Sequence, residues 1–314
     1  MHNYPNQIEE NLEVDQIRNL IKGYCQMSVS RAMVESASFS VDFGEIKQRL
    51  MHISDYIKII ENEENYPKGS IEDIEPLLIK IKLKGSYLVP DDFSVLSKCN
   101  RILSQWQKFL SKNKDLYVWL AQLVADFQKD HSLSDKIDEV IDERGAVRDS
   151  ASPTLVRIRR EIIKYEAKAR KSIKYIFDQV KKDQYTDDSG EITIREGRLV
   201  IPVKAEFKRR VVGFVHDESS TGNTVFMEPA QVLELNNLVR ELGYEEKREV
   251  VRILIQLSEH VRMNINELEK GADFLSKLDF IRAKAKFAHK FEAVSYTHLR
   301  AHETSLHLVC RLLL

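Results

Sequence analysis

Six basic residues near the middle of the chain are the best candidates for contacting a polyanion. They are Lys204, Lys208, Arg209, Arg210, Arg195 and Arg198. Clustered cations neutralise phosphates and release counterions, which gives binding that ignores base sequence and weakens as salt rises. The alternative is an ordinary solvated charged face, and the residue types alone leave both interpretations open.

The run of residues 216–220 (HDESS) contains the residue types of a hydrolase or of a metal site. Five consecutive residues at a strand end cannot all converge on one point. A catalytic triad also needs partners that the fold brings together from distant parts of the chain. We therefore do not predict a catalytic site at this run.

Three other groups of residues have metal-ligating side chains. The acidic residues of 61–64 and 138–143 lack a calcium-loop glycine and regular ligand spacing, so we predict solvated helix faces. Near the end of the chain, residues at i, i+4 and beyond could ligate a metal: His298, His302, His307 and Cys310. However, residues 294–314 look like a translated sequencing adapter, so we interpret them as a non-native tail and predict no metal site.

The composition favours helices and excludes several classes of protein. The 314 residues include 31% charged residues but only 11 Gly and 7 Pro, so helix breakers are scarce. A net charge of -1 excludes a globally basic nucleic-acid binder, although not a local basic patch. Three scattered cysteines argue for a reducing compartment and against a disulfide framework or a zinc site. Without a membrane-length apolar run or a signal peptide, the expectation is a cytoplasmic protein with no membrane contact.

The first half of the chain has the apolar spacing of a helical bundle. Between Leu12 and Ser150, apolar residues recur every three or four positions, for example in the stripe Ile46, Leu50, Ile53, Ile57 and Ile60. This pattern predicts five or six helices whose Trp and Phe residues lie in the core.

A narrower apolar seam begins after Ser152 and Pro153, which can cap and open a helix. The seam is two residues wide between Lys and Arg residues, and consists of Leu155, Ile158, Ile162, Tyr165, Ala169, Ile173, Ile176 and Val180. Such a seam in a charged helix is typical of a coiled coil, and about 30 residues give an arm of roughly 45 Å. A comparable, Glu-rich stretch from Pro229 to about Gly271 is the predicted antiparallel partner, with Gly243 as its weak point.

Between the two arms the apolar period changes to two. Residues 192–203 flank Glu196-Gly197, a predicted hairpin turn, and residues 211–215 and 224–226 are β-branched or aromatic runs. The sequence therefore predicts a module of four strands and about 40 residues. We place it at the tip of the arms because it interrupts two halves of one seam.

Four blocks of sequence, in the same order, resemble one protein family. They are 149–155 (DSASPTL), 192–208 (ITIREGRLVIPVKAEFK), 213–229 (GFVHDESSTGNTVFMEP) and 234–242 (ELNNLVREL). They resemble the lever and clamp region of the MutS family, specifically its type-2, recombination-suppressing bacterial subfamily. The resemblance runs from about Glu10 to His289.

The resemblance implies a mainly α fold: a helical core bundle with a long antiparallel coiled-coil lever that carries a small β clamp module at its tip. The implied bounds are 1–150 for the helical core, 151–186 for the outgoing lever helix, 187–228 for the clamp, 229–275 for the return lever helix and 276–293 for the return to the core.

The same resemblance makes residues 216–220 a structural hairpin. In it, Asp217 and Ser219 bond turn amides and Gly222 provides a permissive backbone. The resemblance also favours phosphate contact over a merely solvated surface for the six basic residues.

In the intact family, ATP binding and hydrolysis in dimerised ATPase domains move the levers and open or close the clamps around nucleic acid. No Gly-Lys dipeptide occurs in this chain, so the phosphate loop is absent. We therefore expect no cofactor here, with ATP and Mg confined to an ATPase domain and cleavage to a nuclease domain that the chain lacks.

The implied function is that of a non-catalytic DNA-binding clamp, inactive as an enzyme by itself. For the whole family, the resemblance implies ATP-dependent binding of branched or mismatched DNA, endonuclease activity, suppression of recombination and rescue of stalled ribosomes. The expected partners are DNA or ribosomal RNA and a second copy of the full-length protein. The alternative is a coiled-coil module that docks on the ribosome or on another protein, and salt dependence distinguishes the two.

Overall fold

The computed structural model describes residues 9, 13–38, 40, 42–124 and 132–293, and these residues are mainly helical with one small antiparallel sheet. The helices are α1 (Val14–Lys22), α2 (Ser28–Glu35), α3 (Phe43–Asn62), α4 (Glu75–Lys82), α5 (Pro90–Lys112), α6 (Val118–Gln122), α7 (Ser132–Val140), α8 (Pro153–Lys182), α9 (Ala230–Met263) and α10 (Ile265–Lys290). The strands are β1 (Thr193–Arg195), β2 (Arg198–Lys204), β3 (Gly213–Glu218) and β4 (Thr224–Pro229). This confirms the mainly α fold class with a small β module.

The described residues divide into two compact units. One unit contains the residues up to 146 together with those from 257 onward, and the other contains residues 147–256. No helix in the described ranges is long and apolar enough to cross a membrane.

The first unit is a helical bundle with an aromatic core. Trp106 and Phe93 of α5 are buried, and the Trp106 ring lies 5.8 Å from that of Tyr56 on α3. The prediction that the Trp and Phe residues of this region form core is therefore confirmed at these positions, but it is wrong at Phe43, the first residue of α3, which is 60% exposed. Burial of such large apolar side chains is the main stabilising contribution to a bundle of this kind.

Two buried carboxylates satisfy helix N-termini from distant positions in the chain. Asp279 of α10 accepts hydrogen bonds from the amides of Gln26 and Met27, at 2.8 and 3.0 Å, just before α2 begins. Asp55 of α3 accepts one from the amide of Trp119, at 2.9 Å, in the first turn of α6. The first amides of a helix have no partner within it, and a carboxylate there also complements the helix dipole.

In the second unit, α8 and α9 run antiparallel and pair through opposite charges. Ser152 caps α8 by accepting from the amide of Leu155 at 3.0 Å, and its hydroxyl donates to Glu249 of α9 at 2.6 Å. Arg159 of α8 lies 2.7 Å from Glu246 of α9. These contacts confirm the predicted cap and the predicted charge complementarity, whereas supercoiling of the two helices stays a prediction.

The sheet has the strand order β1-β2-β4-β3, and every neighbouring pair is antiparallel. Glu196 and Gly197, both with positive φ, form the two-residue turn between β1 and β2, as predicted. One face of the sheet packs on the C-terminal half of α8 and the start of α9 through a buried apolar cluster. The cluster contains Ala169, Ile173, Phe177, Val180, Leu199, Ile201, Val203, Val225, Met227 and Val232.

Candidate nucleic-acid interface

The connection between β2 and β3 fixes the backbone that carries three of the predicted basic residues. A short 3-10 turn at Ala205–Phe207 is anchored because Ala205 N donates to Asn223 O at 2.9 Å. The Phe207 ring stacks on that of Tyr185 with 4.9 Å between centroids. The Arg210 amide then donates to Phe207 O at 2.8 Å, which closes the turn. Lys208, Arg209 and Arg210 therefore project from a fixed backbone.

We define these three residues, Lys208, Arg209 and Arg210, as the basic loop. All three are exposed, and none forms an ion pair within the described part of the chain. Their cationic groups are thus hydrated and available, and an approaching phosphate would not have to displace a carboxylate.

The other three predicted basic residues are already paired within the module. Lys204 Nζ lies 3.6 Å from Asp187, and Arg195 Nε lies 3.4 Å from Asp217. Arg198 is largely buried and lies 2.8 Å from the fully buried Glu228. Arg198 and Lys204 are at opposite ends of β2, which puts their Cα atoms about 20 Å apart. Lys204 therefore lies at the end of β2 that leads into the basic loop, whereas Arg195 and Arg198, paired across β1 and β2, lie at the other end of β2.

Glu228 is the centre of a buried polar network that the sequence did not reveal. Besides Arg198, it accepts a bond from Asn236 Nδ2 at 2.7 Å and contacts His216 Nε2 at 2.6 Å. Asn236 in turn forms two hydrogen bonds with the backbone of Leu199: its Oδ1 accepts from the Leu199 amide, and its Nδ2 donates to the Leu199 carbonyl. A buried carboxylate is tolerated only when it is paired and hydrogen-bonded, and Glu228 meets that condition. Arg198 and His216 are therefore structural residues here.

The run at 216–220 forms the hairpin that the resemblance implied. The Ser219 hydroxyl accepts from the amide of Thr224 at 3.1 Å, Asp217 accepts from the amide of Glu218 at 2.9 Å, and Gly222 has φ +70°. His216 lies at the register shift between β3 and β4 and points to Glu228 rather than to Ser219. No oriented nucleophile and base are formed by this run.

The acidic clusters form ordinary structural contacts where the structure describes them. Asp138 accepts hydrogen bonds from Ser97 at 3.0 Å and from Arg101 at 2.6 Å. Within the described ranges, no three potential metal-ligating side chains converge. The four candidate ligands in 294–314 lie outside the described residues.

Charge and apolar exposure are unevenly distributed over the β module. Residues 187–228 contain six basic and eight acidic side chains, so positive potential can arise only locally, at the basic loop. The edge strand β3 and the residue before it expose large apolar side chains: Val212 is 76%, Phe214 56% and Val215 45% exposed. An exposed edge with apolar side chains is also a surface that proteins use for docking.

The fold is thus that of a helical protein in which two antiparallel helices carry a small antiparallel sheet with a basic loop. The chain is 32% identical over 288 residues to the endonuclease MutS2 of Symbiobacterium thermophilum and 32% identical over 284 residues to that of a Geobacillus species. It is 33% identical over 285 residues to the endonuclease MutS2 of Clostridium botulinum. No protein-family model matches the chain.

These alignments cover 88%, 90% and 90% of the chain but only 34%, 36% and 36% of the three relatives. The chain belongs to the MutS2 family, and it spans about a third of the length of the curated relatives it matches.

Proposed function

We propose that this chain is the core and clamp region of a MutS2 protein and that it contacts the phosphate backbone of nucleic acid through the basic loop. The observation that carries this proposal is three adjacent, exposed cations on a fixed turn of the β module, none of them in an ion pair with another described residue. Lys204 and Arg195, each in a long ion pair with a carboxylate, would contribute at the margin. Arg198 would support the sheet, since Glu228 already occupies it.

The chemistry of the basic loop favours a backbone contact rather than reading of bases. Side chains that meet only phosphate oxygens position a protein on nucleic acid without sequence preference. The relatives are named endonucleases, and therefore DNA is the first ligand to test. Ribosomal RNA, which carries the same phosphate charge, is the second, because the resemblance also implies a role at stalled ribosomes.

For the whole protein, we extend the proposal to the family's cycle. ATP-driven movement of a dimer would open and close the α8–α9 lever and the clamp around branched or mismatched DNA, which leads to cleavage and to suppression of recombination. Nucleotide and magnesium would be bound by parts of the protein outside this chain, and the residues described here would supply only the grip on nucleic acid.

The test is binding of the full chain to labelled branched DNA and to ribosomal RNA, with a triple variant Lys208→Gln, Arg209→Gln and Arg210→Gln. A matched triple variant removes the same charge from exposed positions of α8, namely Lys168, Arg170 and Lys171. We expect the loop variant to lose binding and the α8 variant to keep it. Equal loss in both variants would show that only overall charge matters, and would refute the assignment to the loop.

A second function, docking of a protein on the β module, is favoured by the exposed edge strand β3. Phe214, at 56% exposure, is its largest exposed side chain. An apolar protein interface changes little with salt, whereas phosphate contacts weaken steeply. Binding to ribosomes that is insensitive to salt and lost in Phe214→Ser would support docking instead of phosphate contact.

A further inference from the structure

A cavity of about 350 Å³ lies between α3 and α10 in the first unit. Ligand sites in proteins start at roughly this volume, and most combine apolar walls with a few polar groups. The apolar walls here include Ile53 of α3 and Phe280 and Ile281 of α10. Six polar residues also line the cavity: three are the cations Arg49, Lys277 and Lys284, and the others are Glu45, Gln48 and His52.

Lys284 is the unusual residue of this cavity. It is only 4% exposed, although lysine is almost never buried without a partner. Within the described part of the chain, no oxygen atom accepts a hydrogen bond from its Nζ. The Nζ atom instead lies over the face of the Phe280 ring, at 4.3 Å from the ring centroid.

The neighbouring cations are neutralised, and Lys284 is not. Arg49 donates to Glu45 one turn earlier on α3, and Lys277 Nζ lies 2.7 Å from Asp273 on α10. His52, on the same cavity wall, has a buried Nε2 without a partner among the described residues. Burial lowers the pKa of His52, although Asp55 and the backbone of Trp119 oppose this, so His52 adds no charge at neutral pH. Among the described residues that line the cavity, the one uncompensated positive charge is thus on Lys284.

We propose that this cavity binds a small monoanion with an apolar body, an aromatic or aliphatic carboxylate, whose oxygens accept hydrogen bonds from Lys284 Nζ. One uncompensated cation matches one negative charge, whereas a phosphate dianion would bring a second charge into a cavity with apolar walls. Ile53, Phe280 and Ile281 would cover the apolar body. The inference concerns the first unit and does not depend on the nucleic-acid proposal.

The protonation of Lys284 gives the proposed site a characteristic pH response. Burial, together with the nearby charge of Arg49, lowers the pKa of Lys284 to about 7. A carboxylate that binds beside it favours the ammonium form and raises this pKa. Binding therefore takes up a proton above pH 7, and affinity falls as pH rises.

The experiment is titration of the full chain with benzoate and, separately, with inorganic phosphate, followed by calorimetry and by NMR. The variant is Lys284→Met, which keeps the length of the side chain and removes the charge. The control is Lys270→Met on the same helix, where the lysine is exposed and paired with Glu267. We expect benzoate to bind more tightly than phosphate, and Lys284→Met to weaken benzoate by about tenfold or more, the loss of one charge-assisted hydrogen bond.

The pH series on the unmodified chain needs no variant and tests the same site. Benzoate stays anionic between pH 6 and pH 9, and we expect its affinity to fall by about tenfold for each pH unit above 7. Undiminished binding in Lys284→Met, affinity that is flat with pH, or equal affinity for phosphate would each overturn the proposal. Folding of the variant is checked by its unfolding free energy, which we expect to equal or exceed that of the unmodified chain.

Discussion

Arg198 donates two hydrogen bonds from Nη1 to the carboxylate of Glu228, at 2.8 and 3.0 Å, across the interior of the β module. Glu228 is fully buried, and Arg198 is held from the other side by Asn237, which accepts from Nη2 at 2.7 Å. The pair joins β2 to β4 and to the start of α9. Arg198, which the sequence groups with the surface cations, is therefore part of the interior of the β module.

The first prediction concerns this pair. Arg198→Met should lower the free energy of unfolding by about 3 kcal/mol, because it leaves Glu228 buried without its cation. Arg195→Met, which removes an exposed cation from the same hairpin, should cost less than about 1 kcal/mol. Urea denaturation of both variants measures the difference. Equal losses would mean that the buried pair contributes no more than a surface pair.

The second prediction concerns the number of phosphate contacts made by the basic loop. The logarithm of the DNA affinity should fall linearly with the logarithm of salt concentration, with about 0.9 in slope for each phosphate neutralised. Lys208→Gln should therefore reduce the slope by about 1, and the triple variant by about 3. Fluorescence anisotropy at several salt concentrations gives the slopes. A triple variant with an unchanged slope would place the contact elsewhere.

The third prediction compares two glycines of the second unit. A Cβ atom on Gly213 would lie 2.2 Å from the carbonyl oxygen of Glu228, so Gly213→Ala should separate β3 from β4 and cost about 2 kcal/mol. Gly243 lies within α9 with open space around it, so Gly243→Ala should stabilise the chain by about 0.5–1 kcal/mol.

Thermal unfolding shows whether each substitution stabilises or destabilises the chain. Hydrogen exchange of the β3 and β4 amides shows whether the effect of Gly213→Ala arises between these two strands. Faster exchange of those amides in Gly213→Ala, with no change in Gly243→Ala, is the expected pattern. A neutral Gly213→Ala would show that the strands can move apart at no cost.

The fourth prediction is a dependence of stability on acid pH. The hydrogen bonds from Arg252 and Ser152 lower the pKa of Glu249 to about 2 from an ordinary 4.5. The unfolded chain therefore binds the proton more readily. The stabilising contribution of Glu249 is complete above pH 4.5 and is lost as pH falls towards 2. Glu249→Gln should flatten the loss of stability over that interval, as measured by denaturation at several pH values. A Glu249→Gln profile parallel to that of the unmodified chain would contradict the assignment.

The fifth prediction is a dependence on alkaline pH with the opposite cause. The pKa of Lys284 is about 7 in the folded chain, against an ordinary value of 10.5 for a lysine in the unfolded chain. Lys284 therefore binds its proton more weakly when the chain is folded. Its destabilising effect is full below pH 7 and disappears as pH rises towards 10. Lys284→Met should be more stable than the unmodified chain at pH 6, and this advantage should shrink by pH 9. A constant difference between the two chains would contradict the shifted pKa.

The sequence by itself determined the features that depend on neighbouring residues. Ser152 caps α8 because its hydroxyl reaches an amide three residues later, and the chain turns at Glu196-Gly197 because Gly197, without a Cβ atom, accepts positive φ. The β-branched and aromatic residues of β2 and β4 and the helical spacing of α8 and α9 are likewise local patterns, and each was predicted. The four sequence blocks in order were sufficient to indicate the family.

Only the tertiary structure decided which charged groups are free and which are used internally. By sequence, Arg198 and Arg209 are alike, but the strand register places Arg198 beside Glu228 while Arg209 stays in solvent. Lys284 lies in a helix rich in charged residues and gives no sign of burial, yet packing of α10 against α3 encloses it. The partner that neutralises a charge is usually distant in the chain, and local spacing carries no information about which distant groups the fold brings within hydrogen-bonding distance.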